Sequence, residues 1–266
     1  MVERRLDGKV ALVTGAARGL GRAYARRLAM LGARVYALDI NPDGAALFEE
    51  GPEDEEARRL DGMIEDVKID LVDRAQVDAA FARIAADAGG IDILVNNAGG
   101  AIAPPEHSSA AATMPEADVR LILDVNLMTA IHCCQVAVPF MVARGGGVIV
   151  NTSSIAGRIV AMPDGLAHYS VAKAALTHYT RCLAAQVGPS GIRVNCIAPG
   201  TILTGRAKKL VQGRGSMEGA AAAVPLRRLG ETEDCANVIE FLVTDQSSYI
   251  TGQCISVCGG MALTPA

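Results

Sequence analysis

Short apolar runs alternate with longer stretches of helical periodicity along most of the chain. The runs that predict strands are Val10–Val13, Val35–Ile40, Ile64–Ile69, Ile91–Val95, Val148–Val150, Ile192–Ile197 and Cys254–Val257. The stretches that predict helices are Leu20–Leu31, Arg74–Ala88, Pro115–Ala143, Ala167–Val187 and Thr232–Val243. Strands that are apolar on both faces and alternate with helices are typical of a parallel sheet covered on both sides. The pattern therefore predicts a doubly wound α/β fold of about seven strands in a single domain, residues 1–266.

Three stretches depart from this alternation. The acidic stretch Asn41–Gly62 predicts a solvated helix or loop. The Gly- and Ala-rich stretch Thr204–Pro225, called the lid segment below, has no strand pattern and predicts either a mobile lid or an ordered capping helix. Val125–Ala143 carries no charged residue, but its polar positions, such as Asn126, favour a helix buried on several sides of a folded domain over a membrane span.

Composition narrows the function classes. Of the 266 residues 50% are hydrophobic and 3% aromatic, and the net charge is −4. The apolar fraction excludes a disordered chain, and the acidic balance makes nucleic acid a poor partner. The seven cysteines are scattered with no CxxC spacing, which predicts buried thiols, no metal site and a reducing compartment. Because the N-terminal segment is charged, the expected location is the cytoplasm, with no membrane partner.

A glycine-rich loop follows the first predicted strand. Gly15, Gly19 and Gly21 lie between that strand and the first helix, where backbone N–H groups and the helix dipole favour the pyrophosphate of a dinucleotide. Asp39 ends the second strand, and a carboxylate there accepts hydrogen bonds from ribose hydroxyls and repels a 2′-phosphate. This favours NAD over NADP, although Arg18 in the loop is a candidate partner for a 2′-phosphate. No Gly-Lys-Ser/Thr ends the loop, so a nucleoside triphosphatase is not indicated.

Four motifs occur in a characteristic order. They are the glycine loop beginning at Thr14, Asn96-Asn97-Ala98-Gly99, the YxxxK pair Tyr169 and Lys173, and Pro199-Gly200. Together they resemble the short-chain dehydrogenase/reductase family over nearly the whole chain, from about Lys9 to Gly260. The resemblance implies a Rossmann-type fold and a nicotinamide cofactor.

The resemblance also implies which residues contact that cofactor. These are Gly15, Arg18, Gly19, Leu20, Gly21, Asp39, Ile40, Asp70, Leu71, Asn97, Ala98, Gly99, Tyr169, Lys173, Pro199, Gly200, Ile202 and Thr204. For Asn97 and Asp70 the residues alone leave open an ordinary turn or strand-end role.

The catalytic assignment rests on four residues. Tyr169 and Lys173 lie four positions apart, so they project from one face of a helix. The ammonium and an oxidised nicotinamide lower the tyrosine pKa, and the resemblance makes Tyr169 the group that exchanges a proton with substrate. Ser154 stands in the family position for the donor to the substrate oxygen, with Ser153 as its rival. Asn126 matches the asparagine that joins a proton relay through its backbone, and an ordinary buried amide is the alternative.

Some positions depart from the family pattern or lack an assigned partner. Ser154 precedes Tyr169 by 15 positions, somewhat more than usual, and Cys258 replaces the more usual Asp. His168 is expected in the pocket wall, and His132 in the core or an interface.

These inferences predict an NAD(H)-dependent oxidoreductase that interconverts a secondary alcohol and a ketone. The rivals are an NADPH-dependent ketoreductase of the 3-oxoacyl carrier type and a catalytically silent dinucleotide-binding sensor. Gly100–Thr113, Arg158–His168 and the lid segment are expected to line a pocket for a small, neutral, fairly apolar substrate. The family resemblance also implies a homotetramer or homodimer built on Pro115–Ala143 and Ala167–Val187.

Overall fold

All seven predicted strands form one parallel sheet in the computed structural model, which describes residues 5–48, 54–102, 104, 106–160, 165–212 and 216–263. The sheet order is β3-β2-β1-β4-β5-β6-β7, and every pairing is parallel. The strands are β1 (Val10–Thr14), β2 (Arg34–Asp39), β3 (Ile64–Lys68), β4 (Ile93–Asn96), β5 (Gly147–Thr152), β6 (Ile192–Pro199) and β7 (Cys254–Val257). The predicted Rossmann-type fold is confirmed.

The helices of the described residues flank this sheet. They are α1 (Gly19–Met30), α2 (Glu55–Asp61), α3 (Arg74–Ala88), α4 (Glu116–Leu123), α5 (Thr129–Ala143), α6 (Ala167–Val187), α7 (Gly205–Gln212), α8 (Met217–Ala222) and α9 (Thr232–Val243). Helices α1 and α9 pack together on one face of the sheet, and α3, α5 and α6 cover the other.

Strand β1 shows why the strands must be apolar on both sides. Ala11 and Val13 belong to the core under α1 and α9, whereas Val10 and Leu12 belong to the core under α3 and α5. Successive side chains of a strand point to opposite faces, so both cores depend on the same five-residue run. Burying a side chain such as Leu12 stabilises the fold by about 2 kcal/mol.

The strand order also determines where a ligand can bind. The chain builds β1, β2 and β3 toward one edge and then places β4 on the opposite side of β1. The connections that leave β1 and β4 therefore diverge and open a crevice at the carboxyl ends of these two strands. The glycine loop and Asn97 follow β1 and β4 directly, so both lie at this crevice.

The predicted helix Pro115–Ala143 is divided into α4, a π-helical turn at Asp124–Met128, and α5. Among the described residues, Glu116–Ala143 is long and apolar enough to span a membrane by length and composition, and 44% of its most apolar window is buried. Helix α5 packs against α3, β4 and β5, whereas Gln135, Pro139 and Val142 are exposed. The helix is therefore buried against the sheet on one side, and the prediction of burial on several sides is wrong.

The two irregular stretches contain short helices. The acidic stretch forms a 3₁₀ segment at Pro42–Phe48 and then α2, which begins where Asp54 Oδ1 accepts a hydrogen bond from Ala57 N at 2.8 Å. Glu49, Glu50 and Glu53 of this stretch lie outside the described residues. The lid segment contains α7 and α8, and residues 213–215 between them lie outside the described residues.

The seven cysteines are free thiols, as predicted, but they are not uniformly buried. Cys133, Cys134, Cys196 and Cys235 are buried, and Cys254 and Cys258 are partly buried. Cys182 is exposed on α6, which corrects the prediction for that residue.

Candidate active site

The glycine loop is shaped by contacts with the rest of the protein. A Cβ on Gly21 would stand 2.1 Å from the Gly15 carbonyl oxygen, and a Cβ on Gly15 would stand 2.8 Å from Ala98 Cα. Side chains at these two positions would therefore displace backbone. Gly15 also has a φ of +62°, a conformation that other residues rarely adopt. These glycines are expected to contact a ligand, but in the structure they first allow the loop to close on β4.

Thr14 and Asn97 hold the loop against β4. Thr14 Oγ1 accepts hydrogen bonds from Asn97 N at 2.9 Å and Ala98 N at 3.0 Å. Asn97 Nδ2 donates to the Gly15 carbonyl at 3.1 Å. Thr14 was not among the predicted site residues. The sequence feature that could have identified Thr14 is its position between Val13, the last apolar residue of β1, and Gly15, the first glycine of the motif.

Asp39 connects the end of β2 to the same loop. Its Oδ2 accepts a hydrogen bond from Ala17 N at 3.1 Å, and its Oδ1 accepts one from Asn41 N at 2.9 Å. Both oxygens are thereby oriented at the carboxyl edge of the sheet. Ile40, the next residue, is 63% exposed, which leaves a large apolar side chain open beside the carboxylate.

Tyr169 and Ser154 converge although 15 positions separate them. Tyr169 lies in the first turn of α6, and Ser154 follows β5 and caps a short 3₁₀ turn, where its Oγ accepts from Ala156 N at 3.2 Å. Burial raises the pKa of Tyr169, whereas a hydrogen bond from Ser154 and the positive charge of Arg206 oppose that rise. The serine hydroxyl therefore stabilises the phenolate form of Tyr169.

Lys173 lies one turn after Tyr169 and is buried. Its Nζ donates to the Thr152 carbonyl at 2.9 Å and lies 5.7 Å from the centroid of the Tyr169 ring. Burial lowers the pKa of Lys173 to about 8. Burial disfavours the charged form, yet with this pKa the Lys173 ammonium stays mostly protonated at neutral pH and loses its proton above about pH 8.

The structure separates the two candidate serines. Ser153 is buried, its hydroxyl donates to the Lys173 carbonyl at 2.9 Å, and it lies 2.8 Å from Thr177 Oγ1. It therefore ties β5 to α6 inside the protein. Ser154, by contrast, is partly exposed and contacts Tyr169, so it is the serine at the site.

Asn126 sits in the π-helical turn and is fully buried. Its Nδ2 donates to the carbonyls of Gly100 and Ile122, both at 3.0 Å, and its Oδ1 accepts from Gly100 N at 2.8 Å. A Cβ on Gly99 would stand 2.5 Å from that Oδ1. The side chain thus holds the loop after β4. Because its amide is engaged there, only the backbone of Asn126 is available for a proton relay.

The other predicted cofactor contacts lie along the same sheet edge, although some are engaged with the protein itself. Asp70 Oδ1 accepts from Val72 N at 2.9 Å, and Leu71 is buried in the core. Ile202 is also buried and packs against Gly230, so its backbone is the part that a cofactor can reach. Thr204 Oγ1 accepts from Ala207 N at 3.2 Å and begins α7. Pro199 and Gly200 lie at the end of β6, and Leu20 lies in the first turn of α1.

His168 and His132 are structural in this arrangement. His168 is 2% exposed and its Nδ1 accepts from Tyr169 N at 2.8 Å, so it lies beneath the start of α6 rather than in an open pocket wall. Burial lowers the pKa of His168. His132 Nδ1 lies 3.2 Å from the Leu71 carbonyl at the edge of the core.

The three segments expected to line the substrate pocket do meet. Ser109 Oγ accepts from Leu166 N at 3.1 Å, which joins the first segment to the second. Arg206 Nη2 donates to the Ala101 carbonyl, which joins the first segment to the lid segment. Arg158 departs from the expectation, because its Nη1 donates to Ser256 Oγ at 2.7 Å and so extends toward β7.

Arg206 is the main site residue that the sequence argument did not single out. It lies in α7, two positions after Thr204, and is partly buried. Burial and the positive charge of Arg18 lower the pKa of Arg206, whereas Tyr169 raises it. Its charge therefore acts on both the glycine loop and the catalytic tyrosine.

Cys258, which replaces the more usual Asp, closes a turn after β7. Its Sγ accepts a hydrogen bond from Ala262 N at 3.4 Å, and a Cβ on Gly200 would stand 2.9 Å from its Cα. Within the described residues, no group of three or more His, Cys, Asp or Glu side chains is arranged to hold a metal ion.

Comparisons with known proteins agree with this geometry. A family model described as enoyl-(acyl carrier protein) reductase matches residues 15–262. Cyclohexanol dehydrogenase of Rhodococcus sp. is 40% identical, covering 96% of this chain and 97% of that one. The 3-oxoacyl-(acyl-carrier-protein) reductase FabG of Thermotoga maritima is 36% identical, covering 97% of this chain and all of that one.

Solved structures lead to the same family. A 7α-hydroxysteroid dehydrogenase, solved with NADH and 7-oxo glycochenodeoxycholic acid, superimposes with a TM-score of 0.84 at 34% identity and covers 98% of both chains. With this fold, this site and these relatives, the chain belongs to the short-chain dehydrogenase/reductase family and is an oxidoreductase of that family.

Proposed function

We propose that the protein is an NAD(H)-dependent oxidoreductase that interconverts a secondary alcohol and a ketone. The observation that carries the proposal is the convergence of Ser154, Tyr169 and Lys173 at the carboxyl edge of the sheet. In reduction, Tyr169 gives its phenolic proton to the substrate oxygen, and in oxidation the phenolate takes that proton back. Ser154 donates a hydrogen bond to the same oxygen and stabilises the charge that develops there.

Lys173 supports this proton transfer electrostatically. Its ammonium lies close enough to the Tyr169 ring to stabilise the phenolate. The glycine loop, Asp39 and Asn97 form a cradle that suits a nicotinamide dinucleotide, because side chains at Gly15 or Gly21 would disrupt it. When bound, the nicotinamide supplies or accepts the hydride.

Asp39 supports NAD as the cofactor. Its two oxygens are held beside the loop and would repel a 2′-phosphate. The ratio of kcat/KM for NAD to that for NADP tests this inference directly. We expect the ratio to exceed about 10, and an NADP preference would show that Arg18 outweighs the carboxylate.

The substrate is proposed to be a small, neutral, fairly apolar alcohol or ketone. The likeness to an enzyme named for cyclohexanol supports this class, and the likeness to a 7α-hydroxysteroid dehydrogenase supports a secondary alcohol more generally. The similarity to FabG supports the second candidate, a 3-oxoacyl-carrier ketoreductase. A panel of cyclic and aliphatic secondary alcohols with NAD, run beside a 3-oxoacyl thioester with NADPH, separates the two. A homo-oligomer in the cytoplasm remains part of the proposal.

The decisive test replaces Tyr169 by Phe. Loss of the acid-base group is expected to lower kcat by about 10²–10⁴-fold while NADH affinity stays within about twofold. Tyr179→Phe is the matched control, because Tyr179 lies on the same helix with its hydroxyl near Cys134 in the core. Comparable activity in the Tyr169 and Tyr179 variants would refute the catalytic assignment. No turnover by the wild-type protein with any panel member would favour a dinucleotide-binding sensor.

A further inference from the structure

Two guanidinium groups approach each other across the crevice. Arg18 belongs to the loop between β1 and α1, and Arg206 belongs to α7 of the lid segment. The two residues therefore lie on different sides of the crevice, and the positive charge of Arg18 disfavours the charged form of Arg206. Like charges that approach in a partly buried crevice raise the local positive potential, so an anion placed between them would relieve the repulsion.

The position of Arg206 is determined by backbone contacts. Its Nη2 donates to the Ala101 carbonyl, and its Nη1 would lie 2.9 Å from a Cβ on Gly100. The guanidinium thus lies directly over the loop that follows β4, at the mouth of the crevice between β1 and β4. A side chain at position 100 would force the guanidinium to shift.

Among the described residues, no carboxylate compensates the charge of Arg206. In the part of the chain that the structure describes, Arg206 forms no ion pair with Asp or Glu, and the groups that act on its pKa are Arg18 and Tyr169. Many other arginines of the described residues form ion pairs, as Arg228 does with Asp234 at 2.6 Å. Partial burial without an ion pair disfavours a guanidinium, which indicates that its counterion comes from a ligand.

We propose that Arg206 is a phosphate-binding residue of the lid segment, which pairs with the pyrophosphate of the dinucleotide from the side opposite Arg18 and the glycine loop. This inference rests on the proposed function, because it takes the dinucleotide as the ligand. A guanidinium binds two phosphate oxygens at once, so it adds affinity and holds α7 over the bound molecule. The lid segment is thereby linked to the cofactor as well as to the substrate.

The test measures ligand affinity by isothermal titration. Arg206→Gln removes the charge. Arg206→Lys keeps the charge but cannot form the bidentate hydrogen bonds of a guanidinium. Lys208→Gln, an exposed residue of the same helix, is the control for a general loss of positive charge. The probes are NADH, ADP-ribose, which keeps the pyrophosphate but lacks nicotinamide, and adenosine, which has neither.

The expected pattern is specific to the pyrophosphate. Arg206→Gln should weaken NADH and ADP-ribose alike by about tenfold to a hundredfold, with adenosine unchanged and Lys208→Gln like wild type. Raising the salt concentration should shrink the difference between wild type and Arg206→Gln. Arg206→Lys should fall between the two.

Two results would overturn the proposal. One is unchanged ADP-ribose affinity in Arg206→Gln with a melting temperature like that of wild type. The other is a loss confined to the KM of a negatively charged substrate, which would assign the guanidinium to the substrate. Failure of the wild-type protein to bind either NADH or ADP-ribose would refute the proposed function itself.

Discussion

Lys173 shows how a single buried charge serves function at the expense of stability. Among the described residues, its Nζ has one carbonyl partner, at Thr152, and the groups near it are Tyr169 and Cys196, neither of which is a carboxylate. Burial therefore holds the pKa of Lys173 at about 8, well below its usual value of 10.5. Such a group destabilises the folded state wherever it is protonated.

The pH dependence of stability follows from the direction of this shift. Above about pH 8 the folded state releases the Lys173 proton while the unfolded state keeps it, so stability should rise by up to about 3 kcal/mol as the pH rises toward 10.5. The melting temperature measured from pH 7 to 10 should therefore climb more steeply in wild type than in Lys173→Met. Parallel curves for the two proteins would contradict a lowered Lys173 pKa.

At the scale of elements, the π-helical turn Asp124–Met128 joins α4 to α5 and places Asn126 at the site. The turn lies between α4 and α5 and buries Asn126. The side chain of Asn126 makes three hydrogen bonds, two with Gly100 and one with Ile122. A regular helix would rotate that side chain away from the loop. The turn therefore positions Gly99 and Gly100 beside the crevice.

Replacing Asn126 by Ala tests this role. The change leaves partly buried backbone groups of Gly100 without their Asn126 partners, so the free energy of unfolding in urea should fall by about 1–3 kcal/mol. Asn237→Ala, which removes only a solvent-exposed hydrogen bond from Arg27 at 2.6 Å on α9, is the control and should stay within about 0.5 kcal/mol of wild type. Equal effects of the two substitutions would show that the Asn126 hydrogen bonds contribute little.

At the scale of the whole molecule, exposed apolar side chains lie on the helices expected to form subunit contacts. Leu121 on α4 is 39% exposed, Val142 on α5 is 47% exposed and Val171 on α6 is 54% exposed. Helices α4 and α6 pack against each other, so these residues belong to neighbouring elements. Apolar surface of this kind is often covered in oligomers.

We therefore expect the oligomeric state to be sensitive to charge on these helices. Val171→Glu combined with Leu121→Glu should shift the protein to a smaller species in light scattering coupled to size exclusion. Tyr249→Glu, at a fully exposed apolar residue outside these helices, should not. A monomeric wild-type protein would show that these helices form no subunit contact. Dissociation caused by Tyr249→Glu alone would place the subunit contact near Tyr249.

The amino-acid sequence by itself determined the order of strands and helices, the glycine loop and the Tyr169–Lys173 pair. These depend on periodicity and on close spacing, which act within a few residues. Boundaries shifted by a few positions, and the long helix Pro115–Ala143 was predicted without its π-helical turn. Nothing local marks that turn, because it is stabilised by the loop that Asn126 binds.

Tertiary structure decided which polar side chains reach the site. Ser153 and Ser154 are neighbours in the chain, yet the extended backbone that follows β5 turns one toward Thr177 and leaves the other beside Tyr169. Arg206 became a site residue only because α7 folds back over the loop after β4. Contacts between segments so distant along the chain depend on how whole elements pack, and no local pattern encodes that packing.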